Sequence, residues 1–169
     1  MKHVFEQGYL DSLCGVYSVL NAERLINKSM QEDSQLLFNL IIDYLSRKRM
    51  LKDVILDGVN HKVISNIMKD VVADRIPYRQ TNKRNFYTVK EWWHFSKLFL
   101  EEKENRAIIL SIGGRENHLT VIERMTDRRM FLSDSSNMLI IRKSQCVIGY
   151  IDREKYVIYP SQTWYLGRE

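Results

Sequence analysis

A cysteine at the start of an apolar segment is the first chemically distinctive feature of the sequence. The chain has two cysteines, too few for a disulfide framework, and they lack the paired spacing of a zinc site. Cys14 opens a nearly all-apolar run, residues 13–22, that predicts a buried central helix. At a helix N-terminus, free backbone N–H groups and the helix dipole stabilise a thiolate. Cys14 is therefore a candidate nucleophile, although simple packing explains a cysteine there equally well.

A histidine and an aspartate on two successive predicted strands could complete a catalytic site. His118 begins a strand after the turn-forming glycines at 113–114, and Asp134 closes the next strand. A hairpin with its turn near Asp127 would bring the two side chains together. A catalytic imidazole needs an acceptor on its second nitrogen, and a carboxylate there also stabilises the imidazolium. Taken singly, His118 also fits a structural histidine, and Asp134 fits a hydrophilic turn.

Helical spacing of apolar residues dominates the first hundred positions. Asp11 and Ser12 are capping candidates for the helix that follows Cys14, which is polar inside only at Ser18 and Asn21. Further helices are predicted around residues 36–45, 64–72 and 89–103. Pro77 is expected to end the third helix, and the polar residues 79–85 predict a loop.

Short β-rich runs replace the helical pattern from residue 107 onward. These runs predict antiparallel strands at residues 107–112, 118–124, 130–133, 138–142 and 156–159. Helices followed by strands predict an α+β fold, with the buried central helix packed on a C-terminal antiparallel sheet. The length favours a single domain over residues 1–169, with a helical half of about 1–104 and a sheet half of about 105–169.

The order of these features resembles the papain-like cysteine peptidase superfamily. The matching segments are Gln7 ahead of Asp11-Ser12-Leu13-Cys14-Gly15-Val16-Tyr17, then Asn117-His118-Leu119-Thr120-Val121, then Leu132-Ser133-Asp134. That superfamily places its cysteine at the N-terminus of a central helix, its histidine at a strand start and its Asp or Asn after a following strand. The compact length and the Cys-Gly pair look most like the bacterial C39-type peptidases, which also commonly use an aspartate.

The resemblance implies a papain-like fold and a catalytic group of Cys14, His118, Asp134 and Gln7. The implied role of Gln7 is to donate its amide to the oxyanion beside the Cys14 backbone N–H. Gln7 stands seven residues before Cys14, one more than the family pattern, and an ordinary surface glutamine fits the position nearly as well. The implied reaction is attack of the thiolate on a carbonyl carbon, with His118 first protonating the leaving group and then activating water.

Three functions remain open on these residues. The first is a thiol-dependent hydrolase, a cysteine peptidase or isopeptidase that cleaves an amide bond of a polypeptide substrate. The second keeps the site but makes it a glutamine deamidase or acyl transferase of the toxin or effector type. The third is a non-catalytic binding module for an acidic protein or a nucleic acid. The net charge of +5 comes from short dispersed clusters, which favour a solvated surface over a nucleic-acid interface.

Other sequence features bear on the cellular location and on the need for a metal or cofactor. The longest apolar runs fall short of the roughly 20 residues of a membrane span, and residues 1–7 lack the apolar core of a signal peptide. We therefore expect a cytoplasmic protein without a membrane span, and the resemblance to the C39-type peptidases implies a bacterial one. Converging metal ligands are not apparent, so neither a metal nor a cofactor is expected. Cys146 is expected to be a buried hydrophobe, and the remaining histidines, namely His3, His61 and His94, lack comparable partners.

Overall fold

Helix α1 (Cys14–Asn27) is the central element of the first half of the chain. The computed structural model describes residues 4–9, 11–81 and 86–167. Val16, Val19 and Ala22 of α1 are fully buried, because apolar residues occupy most sides of the helix. The predicted buried helix is confirmed, and it continues five residues beyond the predicted end at residue 22.

The other helices surround α1 or cover the opposite side of the sheet. They are α2 (Gln31–Arg47), α3 (Leu51–Asp57), α4 (His61–Ile67), which continues into a π-helical turn (Met68–Val72), and α5 (Val89–Glu102). The three helices predicted after α1 correspond to α2, to α4 with its π turn, and to α5. The sequence did not predict α3, because this helix is one of seven residues and fully buries only Val54.

The described strands form one sheet that is antiparallel apart from one short pair. The strands are β1 (Tyr78–Gln80), β2 (Ala107–Gly114), β3 (His118–Met125), β4 (Arg129–Leu132), β5 (Ile140–Arg142), β6 (Cys146–Val147) and β7 (Tyr156–Leu166). Their order is β1-β7-β2-β3-β4-β5, and β6 pairs parallel to β7. The mixed α+β architecture predicted from the sequence is confirmed.

Strand β1 corrects two expectations about the helical half. Residues 79–85 were predicted as a loop, yet Arg79 and Gln80 pair with Tyr165 and Trp164 of β7; residues 82–85 lie outside the described residues. The first half of the chain therefore contributes an edge strand to the sheet. A three-residue strand whose partner lies more than 80 positions away leaves no periodic signal in the sequence.

The sheet is covered on both faces, which accounts for the continuous apolar runs of β2 and β3. Ile109 and Val121 belong to the core formed with α1 to α4, whereas Ile108 and Ile122 belong to the core formed with α5. The second core is built on Trp92 and Trp93 together with other aromatic residues. Because β2 and β3 are fixed from both sides, the end of β3 that carries His118 has a rigid base.

We expect replacement of Gly15 by alanine to destabilise the fold, although it lies inside a helix. An added Cβ at residue 15 would overlap Val59 Cγ2 and lie 3.0 Å from Leu119 Cδ1. Alanine is the better helix former by roughly 1 kcal/mol, but overpacking of this kind costs about 1–3 kcal/mol. Gly15→Ala should therefore lower the free energy of unfolding measured by urea denaturation.

The matched variant for this test is the double substitution Gly15→Ala with Val59→Ala. Removing the Val59 methyl groups makes room for the new Cβ. The double variant should therefore lose less free energy of unfolding than the two single variants lose in sum. A single Gly15→Ala variant more stable than the natural chain would contradict the close approach of Gly15 and Val59.

Candidate active site

Cys14 is the first residue of α1, and no side chain caps this helix. The N-cap residue is Leu13, which makes no side-chain cap hydrogen bond. The prediction that Asp11 or Ser12 caps the helix is wrong, because Asp11 Oδ1 accepts from the Leu13 N–H at 3.1 Å and Ser12 Oγ donates to the Leu56 carbonyl at 3.1 Å. The N–H groups of a first helical turn have no partner within the helix, so the hydrogen bonds of α1 itself do not engage the Cys14 N–H.

The pairing of β3 with β4 brings Asp134 to His118. Ile122 faces Leu132 across the two strands, and the Ser133 N–H donates to the Val121 carbonyl at 2.9 Å. His118 Nε2 and Asp134 Oδ2 consequently lie 2.6 Å apart. Asp134 was expected at the end of the strand, but β4 ends at Leu132 and Asp134 lies in the turn that follows.

The turn after β4 holds the Asp134 carboxylate by its second oxygen. Asp134 Oδ1 accepts from the Ser136 N–H and hydroxyl, each at 2.9 Å, and from the Met138 N–H at 3.2 Å. Burial raises the pKa of Asp134, but the hydrogen bond and charge of His118, with smaller contributions from Thr120 and the Ser136 N–H, outweigh it and lower the pKa to about 2. Asp134 is thus both part of the hydrophilic turn and the charged partner of His118.

His118 interacts with both Asp134 and the Cys14 thiol. Burial lowers the pKa of His118, but hydrogen bonds and charge interactions with Asp134 and Cys14 outweigh it and raise the pKa to about 10. Because Nε2 faces Asp134, Nδ1 is the ring nitrogen left for the thiol. An imidazole next to a thiol, itself oriented by a third group, is the arrangement that activates a cysteine nucleophile.

Two polar side chains inside α1 position the other members of the site. Ser18 Oγ donates to the Leu119 carbonyl at 2.8 Å, which ties α1 to the strand residue that follows His118. Asn21 exchanges two hydrogen bonds with the Phe5 backbone, accepting at 2.8 Å and donating at 3.1 Å. These bonds fix the N-terminal arm that carries Gln7. Polar positions in an otherwise apolar helix were the signal for this role, but they did not identify the partners.

Gln7 lies beside the turn that holds Asp134. Its N–H donates to the Ser135 carbonyl at 3.1 Å, and its side-chain oxygen accepts from the Ser135 hydroxyl at 3.4 Å. With the amide oxygen held by Ser135, the NH₂ end remains as the donor. Gln7 lines the same cleft as Cys14 and His118. The Gly8 N–H donates to Asp11 Oδ2 at 2.8 Å, which links the two ends of the segment between Gln7 and the residues ahead of Cys14.

Ser136 is a member of the site that sequence reasoning missed. Its hydroxyl lies 3.3 Å from His118 Nε2 and also donates to Asp134 Oδ1. It therefore contacts both members of the charged pair. The polar run after β4 indicated a turn, but only the fold shows that this turn closes over the imidazole.

A cleft of about 960 Å³ opens over Cys14 and His118. One wall is the connection between α3 and α4, including Gly58 and Val59, and the other wall comes from the sheet, including Tyr159 and Trp164. The Ser12 N–H donates to the Ile55 carbonyl at 2.9 Å and so fixes the first wall next to the cysteine. The volume is in the upper part of the range for ligand sites in proteins, about 300–1,000 Å³.

The second cysteine and the remaining histidines stand apart from this arrangement. Cys146 is buried, its thiol donates to the Arg142 carbonyl at 3.4 Å, and burial raises its pKa to about 12. The prediction that it is a small buried hydrophobe is confirmed. His61 opens α4 on the rim of the cleft, and His94 lies exposed on α5. His3 lies outside the described residues.

Comparisons with known proteins give no relative. No protein-family model, curated protein or solved structure matches the chain. Within the described part of the chain, no helix is long and apolar enough to cross a membrane, and no group of three or more His, Cys, Asp or Glu side chains could hold a metal ion.

The raised pKa of His118 predicts a specific dependence of stability on pH. A histidine whose pKa rises from its ordinary 6.5 to about 10 on folding contributes stability that is complete below 6.5. This contribution is lost as the pH rises through about 10. Urea denaturation across this range should show the natural chain losing free energy of unfolding, whereas His118→Gln should lose less.

An NMR titration of the His118 ring, with Asp134→Asn as the matched variant, checks the cause. The ring of the natural chain should stay protonated well above pH 6.5, and the amide variant should release its proton at lower pH because the carboxylate charge is gone. Titration of the natural ring near 6.5 would show that the pair is not formed as described.

Proposed function

We propose that the chain is a papain-like thiol hydrolase that cleaves an amide bond in a polypeptide. The observation that carries this proposal is that His118 interacts with the buried Asp134 carboxylate and with the Cys14 thiol, which lines the same cleft. A buried ion pair is a weak source of stability, because desolvation of both charges offsets much of their attraction. Activation of the Cys14 thiol accounts for the buried pair of His118 and Asp134, whereas a gain in stability does not.

The proposed reaction has two halves with one covalent intermediate. The Cys14 thiolate attacks the amide carbon and forms an S–C bond, and His118 donates its proton to the nitrogen as the C–N bond breaks. Water then attacks the thioester and gives its proton to His118, which restores the thiolate and releases a carboxylic acid. Asp134 keeps the imidazole oriented and stabilises its protonated form throughout.

The oxyanion of each tetrahedral intermediate needs donors that are already in place. The uncapped start of α1 offers the Cys14 N–H, and the NH₂ end of Gln7 offers a second donor at the same cleft. Donors fixed before the reaction do not have to reorganise as the charge develops. Stabilisation of the oxyanion therefore contributes strongly to the rate of acyl transfer.

The same groups could carry out glutamine deamidation or acyl transfer. All three reactions pass through one acyl enzyme and differ in the leaving group or in the acceptor. The cleft volume of about 960 Å³ favours a polypeptide over a small amide. Mass spectrometry of incubated polypeptides separates the outcomes, because cleavage gives two fragments, deamidation replaces an amide by an acid, and transfer adds the mass of the acceptor.

An active-site thiol probe tests the nucleophile. We expect chloroacetamide to alkylate Cys14 in the folded chain and to leave Cys146 unmodified, because a thiol with a raised pKa of about 12 is almost entirely protonated. His118→Ala should slow the alkylation of Cys14 roughly tenfold or more, since the imidazolium no longer favours the thiolate.

The controls for this labelling are Cys146→Ser and Cys14→Ala. Cys146→Ser should label at the rate of the natural chain, and Cys14→Ala should not label. Peptide mapping locates the adduct. Alkylation of Cys146 with an unmodified Cys14 would overturn the assignment of the nucleophile.

Gln7→Ala separates stabilisation of the oxyanion from activation of the thiol. Hydrolysis of an activated ester such as p-nitrophenyl acetate passes through an oxyanion, whereas alkylation by chloroacetamide does not. Loss of the Gln7 donor should slow the ester hydrolysis by roughly 10²- to 10³-fold and leave the alkylation rate unchanged.

Gln162, another glutamine of the cleft lining, supplies the matched control. Gln162→Ala should leave both rates near those of the natural chain. Equal loss of both rates in Gln7→Ala would indicate that the substitution disturbs the whole site. An unchanged rate of ester hydrolysis would show that Gln7 is an ordinary surface residue and not the oxyanion donor.

A further inference from the structure

Two of the short basic clusters of the sequence, residues 128–129 and 142–143, come together in one groove at the far end of the sheet from Cys14. The groove has a volume of about 750 Å³ and, with Val89, Asp127 and Ser144, is lined by five cationic side chains, which define the basic groove: Lys90, Arg128, Arg129, Arg142 and Lys143. Dispersed clusters were expected to be a solvated surface. The fold instead concentrates five positive charges against one carboxylate.

Strand pairing causes this concentration. Arg129 of β4 lies directly opposite Arg142 of β5, and the Lys143 N–H donates to the Arg128 carbonyl at 2.9 Å. Lys90 is the second residue of α5 and brings the start of that helix to the groove. Like charges directly opposite each other across two strands are destabilising, so this arrangement costs the fold some stability.

The carboxylate of the groove is already engaged by a neighbouring lysine. Lys97 Nζ lies 2.7 Å from Asp127 Oδ1. The pKa of Asp127 is lowered first by this hydrogen bond and then by the charges of Lys97, Lys143 and Arg128. Glu91, at the start of α5, is turned to the Tyr87 and Thr88 backbone N–H groups that it caps. The basic groove therefore retains a positive field.

One exposed apolar side chain of β5 lies next to the basic groove. Ile140 is 43% exposed and shares a second hollow of about 370 Å³ with Arg129 and Arg142. Next to it, the Arg124 guanidinium lies 3.6 Å from the centre of the Phe131 ring. The surface thus offers cationic groups and apolar groups side by side.

We infer that the basic groove binds an acidic stretch of polypeptide that also carries apolar side chains. Carboxylates complement the arginines, which can hold them by paired hydrogen bonds, and apolar side chains complement Ile140. A nucleic-acid backbone has no group for Ile140, and among the described residues no aromatic ring lines the groove for base stacking. A concave groove of about 750 Å³ admits a segment of chain, whereas a bilayer surface cannot follow it.

The basic groove lies far from the proposed chemistry and does not depend on it. His118 starts β3 and Met125 ends it, a strand length of roughly 23 Å at about 3.3 Å per residue. A polypeptide held in the groove could reach Cys14 only with about seven or more extended residues between the two points. The groove is therefore a docking surface separate from the cleft.

Binding of a short fluorescein-labelled peptide that alternates glutamate with valine and threonine, followed by fluorescence anisotropy, tests this inference. The Cys14→Ala chain is used, so that the result is independent of any cleavage. We expect binding that weakens as salt is added and that falls about tenfold or more in Arg129→Gln with Arg142→Gln. Because these substitutions remove a like-charge pair, the double variant should fold at least as well as its parent.

Matched controls decide the outcome. Lys52→Gln with Lys69→Gln removes the same charge from exposed helical positions and should leave the affinity unchanged. A peptide with glutamine in place of glutamate should not bind. Equal affinity in the two double variants, or tighter binding of a duplex oligonucleotide or of phosphatidylserine vesicles than of the acidic peptide, would overturn the inference.

Discussion

The hydrogen bond between His118 and Asp134 constrains the chain over a long stretch of sequence. Two ionisable groups that are almost completely buried must satisfy each other and their remaining hydrogen-bonding capacity, or the desolvation is not offset. The 2.6 Å contact satisfies one carboxylate oxygen, and the turn after β4 satisfies the other. This requirement fixes the register of β3 with β4, because a shift of one residue would turn His118 to the opposite face of the sheet.

The same requirement explains why α1 contains polar residues in its core-facing surface. Cys14 and His118 can interact only if the start of α1 is held next to the start of β3. The hydrogen bond from Ser18 to the Leu119 carbonyl ties the helix to this strand. Gly15 allows α1 to approach the α3–α4 connection closely. Rigid cores on both faces of the sheet then leave little freedom at the point where helix, strand and turn meet.

Much of this arrangement could be predicted from residue types and local spacing. The buried helix after Cys14 and the strands from residue 107 have strong periodic signals, and Asp134 was placed near His118 by simple hairpin reasoning. The failures share a physical cause. The pairing of β1 with β7, the contact of Ser136 with His118 and the gathering of Arg128 and Arg142 all depend on register and distant partners, which local patterns do not encode.

The position of β7 in the sheet gives the protein an order of assembly. β7 is made after the other described strands, yet it lies between β1 and β2 and contributes Trp164 to the wall of the cleft. During synthesis, Cys14 emerges long before the strand that completes the sheet beneath it. The thiol therefore belongs to an incomplete domain until translation has passed residue 166. A chain built in this order can complete the cleft around Cys14 only when β7 closes the sheet.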